Sequence, residues 1–221
     1  MATTYNYSLT TYFQTGYNQD VLQLNIYAVQ DLKALFVSIS APDTDVLITF
    51  SQALTPAQVT ELNTIVTNFN PNMQIDTFAV LAQVVPSGTG GGDFIAGAWV
   101  TRPLAQTGGQ NTELWITMPA TNQIALVAGN YLMGANCSVG AVGVQQLQFV
   151  NINVTTPVII GTTSTGAGAI IQGTFTVPSG GGTYILQQQC TVSQSSTGLG
   201  VPASFPGGSP EVYATMRITR A

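Results

Sequence analysis

The chain has 221 residues, enough for one or two domains that each bury a core, and nine acids against four cations give it a net charge of −5 with no histidine. Lys33, Arg102, Arg217 and Arg220 are scattered, so no basic face is available to neutralise a nucleic-acid backbone or an anionic membrane, and neither partner is expected. Met1 is not followed by a basic segment and an apolar run, so no signal peptide is expected either.

In chain order, Tyr5–Phe13 alternates as a strand does. Val21–Val29 reads two ways: Leu22, Leu24 and Ile26 alternate, while Leu22, Ile26 and Val29 share a helical face. Ala34–Ile39 and Val46–Phe50 read as strands joined by a Pro42-Asp43-Thr44-Asp45 turn. A helix is predicted from Pro56 to Phe69. Thr55 and Gln58 form a capping box, Pro56 takes the first helical position, Leu54 and Val59 form a staple, and Leu62, Ile65, Val66 and Phe69 make one apolar stripe. Ile75–Val85 is the last strand of this half. With a helix at Val21–Val29 the order becomes β-α-β-β-α-β, a small α+β domain of ferredoxin-like kind over residues 1–87. Ser87-Gly88-Thr89-Gly90-Gly91-Gly92 then reads as a Gly-rich linker at 88–92. No helix follows it and no lysine occurs after Lys33, so it is not a phosphate-binding loop and no cofactor is implied.

Residues 93–221 read as strand and turn throughout. Strands are expected near Trp99–Leu104, Glu113–Met118, Gln123–Leu126, Asn130–Ser138, Val144–Asn151, Val158–Thr162, Ala169–Val177, Gly182–Val192 and Val212–Arg220. Eight or nine short strands suggest a two-sheet antiparallel sandwich or jelly roll. Leu132, Leu147, Phe149, Phe175, Ile185, Tyr213, Met216 and Ile218 are its expected interior positions. From Leu114 to Pro210 there is no Asp, Glu, Lys, Arg or His. Polar residues break every apolar run well short of the ~20 residues of a membrane span. The surface is therefore hydroxyl and amide, with little capacity for acid–base chemistry. An uncharged strand face rich in Tyr, Phe, Val and Gln suits a subunit interface, and edge strands without lysine gatekeepers would be covered by assembly.

Nucleophilic catalysis lacks a histidine base and a Gly-x-Ser-x-Gly elbow. Glu113 and Glu211, the only acids of the second half besides Asp93, are the candidate carboxylate pair for glycoside cleavage, and both are expected to pair with Arg102, Arg217 or Arg220 instead. Asp43 and Asp45 could offer oxygen ligands to a metal, but a turn explains them better, and no metal is expected. Cys137 and Cys190 read as buried small residues, with one bridge as the alternative. Trp99, Trp115, Tyr131, Tyr184 and Tyr213 are the candidate interface or glycan-contact aromatics, with core packing as the competing explanation. Tyr5, Tyr7, Tyr12 and Phe13, with Tyr17 nearby, are a candidate docking segment, an ordinary first strand being the simpler reading. The Asn-x-Ser/Thr patterns at Asn6, Asn136 and Asn153 say little without a secretory route.

Three stretches carry a resemblance. They are Trp99-Val100-Thr101-Arg102-Pro103-Leu104, Leu126-Val127-Ala128-Gly129-Asn130-Tyr131-Leu132, and Tyr184–Gln187 through Gly198–Val201 to Glu211–Ile218. In these the second half resembles the C1q/TNF-like jelly roll of phage and large-virus surface proteins, although the basic residues usual in its middle strands are missing. The stretch from Asp45 to Asn70 is similar to a small domain often fused ahead of it. The resemblance implies a non-enzymatic virion structural protein, a fibre, spike or capsid-surface component located on the virion. It implies a homotrimer, with a pentameric (penton-like) vertex subunit as the alternative. The first domain would attach to other virion proteins, and a host receptor or surface glycan is a further possible partner of the head.

Overall fold

The computed structural model describes residues 1–13, 16–42, 44–71, 77–109, 112, 114–154, 156–166 and 168–221, and it divides the chain into two units, Met1–Ile75 and Asp76–Ala221. The first unit runs β1 (Thr3–Ser8), α1 (Leu9–Tyr12), α2 (Gln19–Tyr27), α3 (Gln30–Leu35), β2 (Phe36–Ser40), β3 (Asp45–Phe50) and α4 (Pro56–Thr67). Its sheet has the order β1-β3-β2, antiparallel throughout. The ambiguous segment is helix. Asn18 caps it, its side chain accepting from the N–H groups of Asp20 (3.1 Å) and Val21 (3.3 Å), and Val21, Leu22, Leu24 and Ile26 turn inward. The Thr55/Gln58 capping box forms as expected, and Leu62 and Val66 are fully buried against Val46, Ile48 and Phe50.

The fourth strand of a ferredoxin-like domain is not among the described residues of this unit. The segment expected to supply it, β4 (Phe78–Val85), belongs to the second unit. It pairs along its length with the last strand, from Phe78 opposite Thr219 to Val85 opposite Glu211, and it places Ala79 and Leu81 in that unit's core. The domain boundary therefore falls near residue 75 and not at 87. Ile75 itself lies outside the described residues.

The second unit continues with β5 (Val100–Thr101), β6 (Ala105–Gly108), β7 (Ile116–Thr117), β8 (Ile124–Leu126), β9 (Gly129–Ser138), β10 (Gln145–Asn151), β11 (Pro157–Ile160), β12 (Gly168–Val177), β13 (Gly182–Cys190) and β14 (Glu211–Arg220). One sheet has the order β12-β9-β14-β4-β6. The other is β11-β10-β13-β8-β7, with β5 also on β13. From β8 to β14 the chain crosses between sheets at every step except the β10–β11 hairpin, and this interleaving makes an antiparallel jelly roll. The protein is mainly β, and the described residues form no closed barrel.

Aromatic side chains fill the space between the sheets. Trp115 meets Tyr131 at 5.9 Å between ring centroids, Tyr131 stacks on Phe175 at 5.5 Å, Phe175 meets Phe149 at 5.3 Å, and Phe149 stacks on Tyr184 at 5.2 Å. Leu147, Met216 and Ile218 complete this core as expected. Leu132 and Ile185 do not: Leu132 is 43% exposed and Ile185 half-buried. Tyr131 and Tyr184, their immediate neighbours, take the inward positions, and strand alternation sends the next residue to the other face.

The Gly-rich segment is not a free linker. Gly91 donates to the Gly200 carbonyl (2.8 Å) and Gly92 to the Ser196 carbonyl (2.9 Å), while Gln83 Nε2 donates to the Gly91 carbonyl (2.7 Å). A Cβ on Gly91 would lie 2.4 Å from the Leu199 backbone, and one on Gly90 would lie 2.2 Å from the Ser196 carbonyl oxygen. These glycines let two backbones touch.

Candidate functional site

Neighbouring strands of the five-stranded sheet present an outer face with few charges. Pairing aligns Thr174, Leu132, Thr219 and Phe78 in one row, Gln172, Gly134, Arg217 and Val80 in the next, and Ile170, Asn136, Thr215 and Ala82 in a third. Leu132, Ile170 (59% exposed), Val84 (47%) and Val212 (51%) stand open to solvent on these strands. Arg217 is the one charge in the three rows, and its guanidinium lies 4.3 Å from the centre of the Phe78 ring. Two shallow depressions flank Leu132. One is bounded by Gly134, Gln172, Arg217 and Thr219, the other by Asn130, Thr174, Thr176 and Ala221.

Amides dominate the corresponding face of the second sheet. β10 and β13 set Gln146 opposite Gln189 and Gln148 opposite Gln187. Gln148 Nε2 donates to Gln187 Oε1 at 2.8 Å, and Gln189 Nε2 to Gln146 Oε1 at 3.4 Å. Ile160 and Val158 are exposed on the β11 edge beside this ladder.

Between the sheets, away from the aromatic core, lies a polar knot. Arg102 is fully buried. Its Nη2 donates to the Leu199 and Tyr213 carbonyls, both at 3.0 Å, and its Nη1 donates to Gln188 Oε1 (3.3 Å) and the Ser138 carbonyl (3.4 Å). Gln188 Nε2 in turn donates to Gln145 Oε1 at 2.5 Å, whereas Arg102 Nε has no partner among the described residues. Burial lowers the Arg102 pKa from its usual value. Tyr213 Oη, which has a single proton to give, lies within hydrogen-bond distance of both Glu211 Oε2 (2.5 Å) and the Thr89 carbonyl (2.7 Å). Glu211 also accepts from the backbone N–H groups of Gly88 (2.8 Å), Ala203 (2.8 Å) and Ser204 (2.9 Å). The Tyr213 hydroxyl above all, and then these backbone donors, hold the Glu211 carboxyl down at about pKa 2. Burial and the adjacent carboxylate push Tyr213 up to about 12. Glu211 therefore clasps the 86–92 and 199–210 segments to β14.

These placements revise the expected site residues. Trp115, Tyr131 and Tyr184 are buried in the aromatic core and Tyr213 is buried in the polar knot, so none of the four offers its ring to a sugar or a neighbouring subunit; Trp99 alone of that set is half-buried. In the candidate docking segment, Tyr7 and Phe13 belong to the first unit's core and Tyr5 packs against it, leaving Tyr12 the exposed one. Tyr7 Oη donates to Asn63 Oδ1 (2.8 Å) and Tyr5 Oη accepts from the Leu54 N–H (2.9 Å), bonds that fix the strand to its own unit. Glu211 takes its partners from the backbone and Tyr213, not from an arginine as expected. Glu113 and Asp43 lie outside the described residues, and Asp45, the first residue of β3, pairs with Ser8 of β1. Cys137 and Cys190 are free and buried, and burial pushes the Cys137 thiol up to about 11, away from thiolate chemistry. Among the described residues no three metal-ligating side chains converge. Arg102 and the glutamine pairs were the unanticipated residues. A lone arginine in a charge-poor stretch, and the repeated glutamines at 145–148 and 187–189, were the available signals.

No family model matches the sequence, and no curated protein matches it. Among solved structures the chain is similar to murine APRIL, a jelly-roll protein of the tumour-necrosis-factor family. For the crystal structure at pH 8.0 the TM-score is 0.40 at 8% identity, covering 65% of this chain and 99% of that one. At pH 8.5 the corresponding values are 0.38, 9%, 64% and 98%. The likeness is one of fold alone.

Proposed function

We propose that the protein is a non-enzymatic structural component of a virion surface, a fibre, spike or capsid-surface subunit, that assembles as a homotrimer through its jelly-roll unit. The observation that carries the assembly reading is the outer face of the β12-β9-β14-β4-β6 sheet. Open valine, leucine and isoleucine side chains, small residues and a single charge make a surface that loses little polar solvation when covered. The virion assignment is supported by the resemblance of the Trp99–Leu104, Leu126–Leu132 and Glu211–Ile218 stretches to virion head domains. Attachment to other virion proteins falls to the first unit. The non-enzymatic reading is supported by the absence of histidine, by thiols held neutral, and by Glu211 and Arg102 being committed to structural hydrogen bonds.

Native mass spectrometry tests the assembly. Three copies are expected, and Ile170→Asp with Leu132→Asp should weaken association at least tenfold while leaving each subunit folded, because both side chains already face water. Five copies would transfer the reading to a vertex subunit. A stable monomer at micromolar concentration would overturn it.

A further inference from the structure

A second surface feature goes beyond assembly and lies on the other sheet. Val144, Gln146, Thr163, Gln189 and Thr191 line an open depression of about 220 Å³ next to Gly97. Among its lining residues the only ionisable one is Cys190, whose side chain is buried in the Phe94 cluster, and the polar atoms of the depression are only partly used. Thr191 Oγ1 accepts from the Val144 N–H (2.9 Å) and Thr163 Oγ1 accepts from Gln146 Nε2 (3.4 Å), so each hydroxyl keeps its proton to give. Gln189 uses its Nε2 on Gln146 and keeps its Oε1 as an acceptor. Val144, exposed between them, supplies an apolar contact. Gly97 leaves the rim bare, since nothing lies within 4 Å of where its Cβ would be.

Trp99 follows Gly97, a lining residue of this depression, by two positions. Val100 pairs with Gln188 and packs inward on the Phe94 cluster. Alternation along the extended chain therefore places Trp99 on the outer side, the side that carries Gln189. Hydroxyl donors, an amide acceptor, an apolar contact and a half-buried indole, all without charge, are the groups that recognise a neutral polyhydroxylated ring. Its hydroxyls exchange hydrogen bonds with amides and hydroxyls, and its C–H face lies on an apolar or aromatic surface. The volume, below the ~300–1,000 Å³ of clefts for drug-sized ligands, fits one ring held at its edge with the remainder of the chain in solvent.

We infer that the depression formed by Gln146, Thr163, Gln189 and Thr191, with Trp99 on the same side of the sheet, is a binding site for one residue of a neutral glycan.

The test uses the intact chain on an array of neutral and acidic oligosaccharides. Hits are then confirmed by saturation-transfer NMR with the free neutral monosaccharide at 50 mM and 500 mM salt, both concentrations chosen for the assay. Binding should select neutral sugars and be unchanged by salt, because no charge is screened. It should fall at least tenfold in Thr163→Val, which removes one exposed hydroxyl and keeps its shape, and likewise in Trp99→Ala. Thr163→Val alone decides the matter if Trp99→Ala does not fold. No binding on the array, binding confined to acidic sugars, or binding that survives Thr163→Val would overturn the inference. Each of these outcomes is independent of the copy number that tests the assembly reading.

Discussion

The two ends of the jelly-roll interior are buried to a similar degree and held by different forces. At one end, toward the start of β9 and β13, five aromatic rings from both sheets contact one another in a chain from Trp115 to Tyr184. At the other, toward Ser138 and Gln188, a buried guanidinium bonds four neutral oxygens and a carboxylate gathers three backbone N–H groups. The aromatic end gains from apolar area removed from water and tolerates reshaping in proportion to volume lost. The polar end gains little net energy per bond, yet it cannot lose a member without leaving several others unsatisfied. One end supplies stability; the other specifies where three irregular segments must run.

The largest expected effect separates them by volume. Phe149→Ala should cost about 3–5 kcal/mol in the urea unfolding of the second unit, through lost burial plus a cavity among rings. Phe149→Leu should recover more than half of that loss. Arg102→Met, which keeps most of the volume, should still cost at least about 2 kcal/mol, because the Leu199 and Tyr213 carbonyls lose their donor inside the protein. If Arg102→Met were neutral and Phe149→Leu were not, the polar end would be filler and the contrast would fail.

The same contrast explains what could be read without coordinates. The capped helix at Pro56–Thr67, the long strands β9, β10, β12, β13 and β14 and most of the aromatic core follow from periodicity and turn residues, which are local signals. The polar end depends on partners far apart in sequence: Arg102 meets Tyr213 across 111 positions and Glu211 meets Gly88 across 123. No spacing rule announces such contacts. The Gly-rich run misled for a related reason. Glycine serves flexible linkers and close backbone approach equally well, and only the Leu199 backbone lying against Gly91 decides between them. β4 was misassigned with it, because its alternation does not say which sheet it will join. Leu132 and Ile185 were displaced because Tyr131 and Tyr184, one position earlier in each strand, take the core. Trp99 was legible as a candidate contact residue, but the glutamine rows were not, since amides carry no titration or charge signature.

Gly91→Ala sharpens the reassignment of the glycine run from linker to packed segment. The added methyl would meet the Leu199 backbone at 2.4 Å, so the Gly91–Gly200 hydrogen bond must break or the loop must shift. About 1–3 kcal/mol of destabilisation is expected, as for other overpacked sites. A true linker would accept the same change within about 0.5 kcal/mol.

The smallest effect is the one that pH exposes. Because the folded Glu211 carboxyl is held down at about 2 and an unfolded one titrates near the ordinary 4.5, the clasp is fully formed above about pH 4.5. It is lost progressively as the pH falls toward 2. Hydrogen exchange at the Gly88, Ala203 and Ser204 amides, corrected for intrinsic rates, should therefore speed up across that window while amides in β9 and β12 remain protected. Glu211→Gln should make the three amides exchange fast at neutral pH and remove the acid dependence, since a neutral amide oxygen accepts more weakly and cannot serve all the donors. Uniform acceleration in both regions would mean that acid opens the whole sandwich at once, and the carboxylate would then have no separate role in pinning its loops.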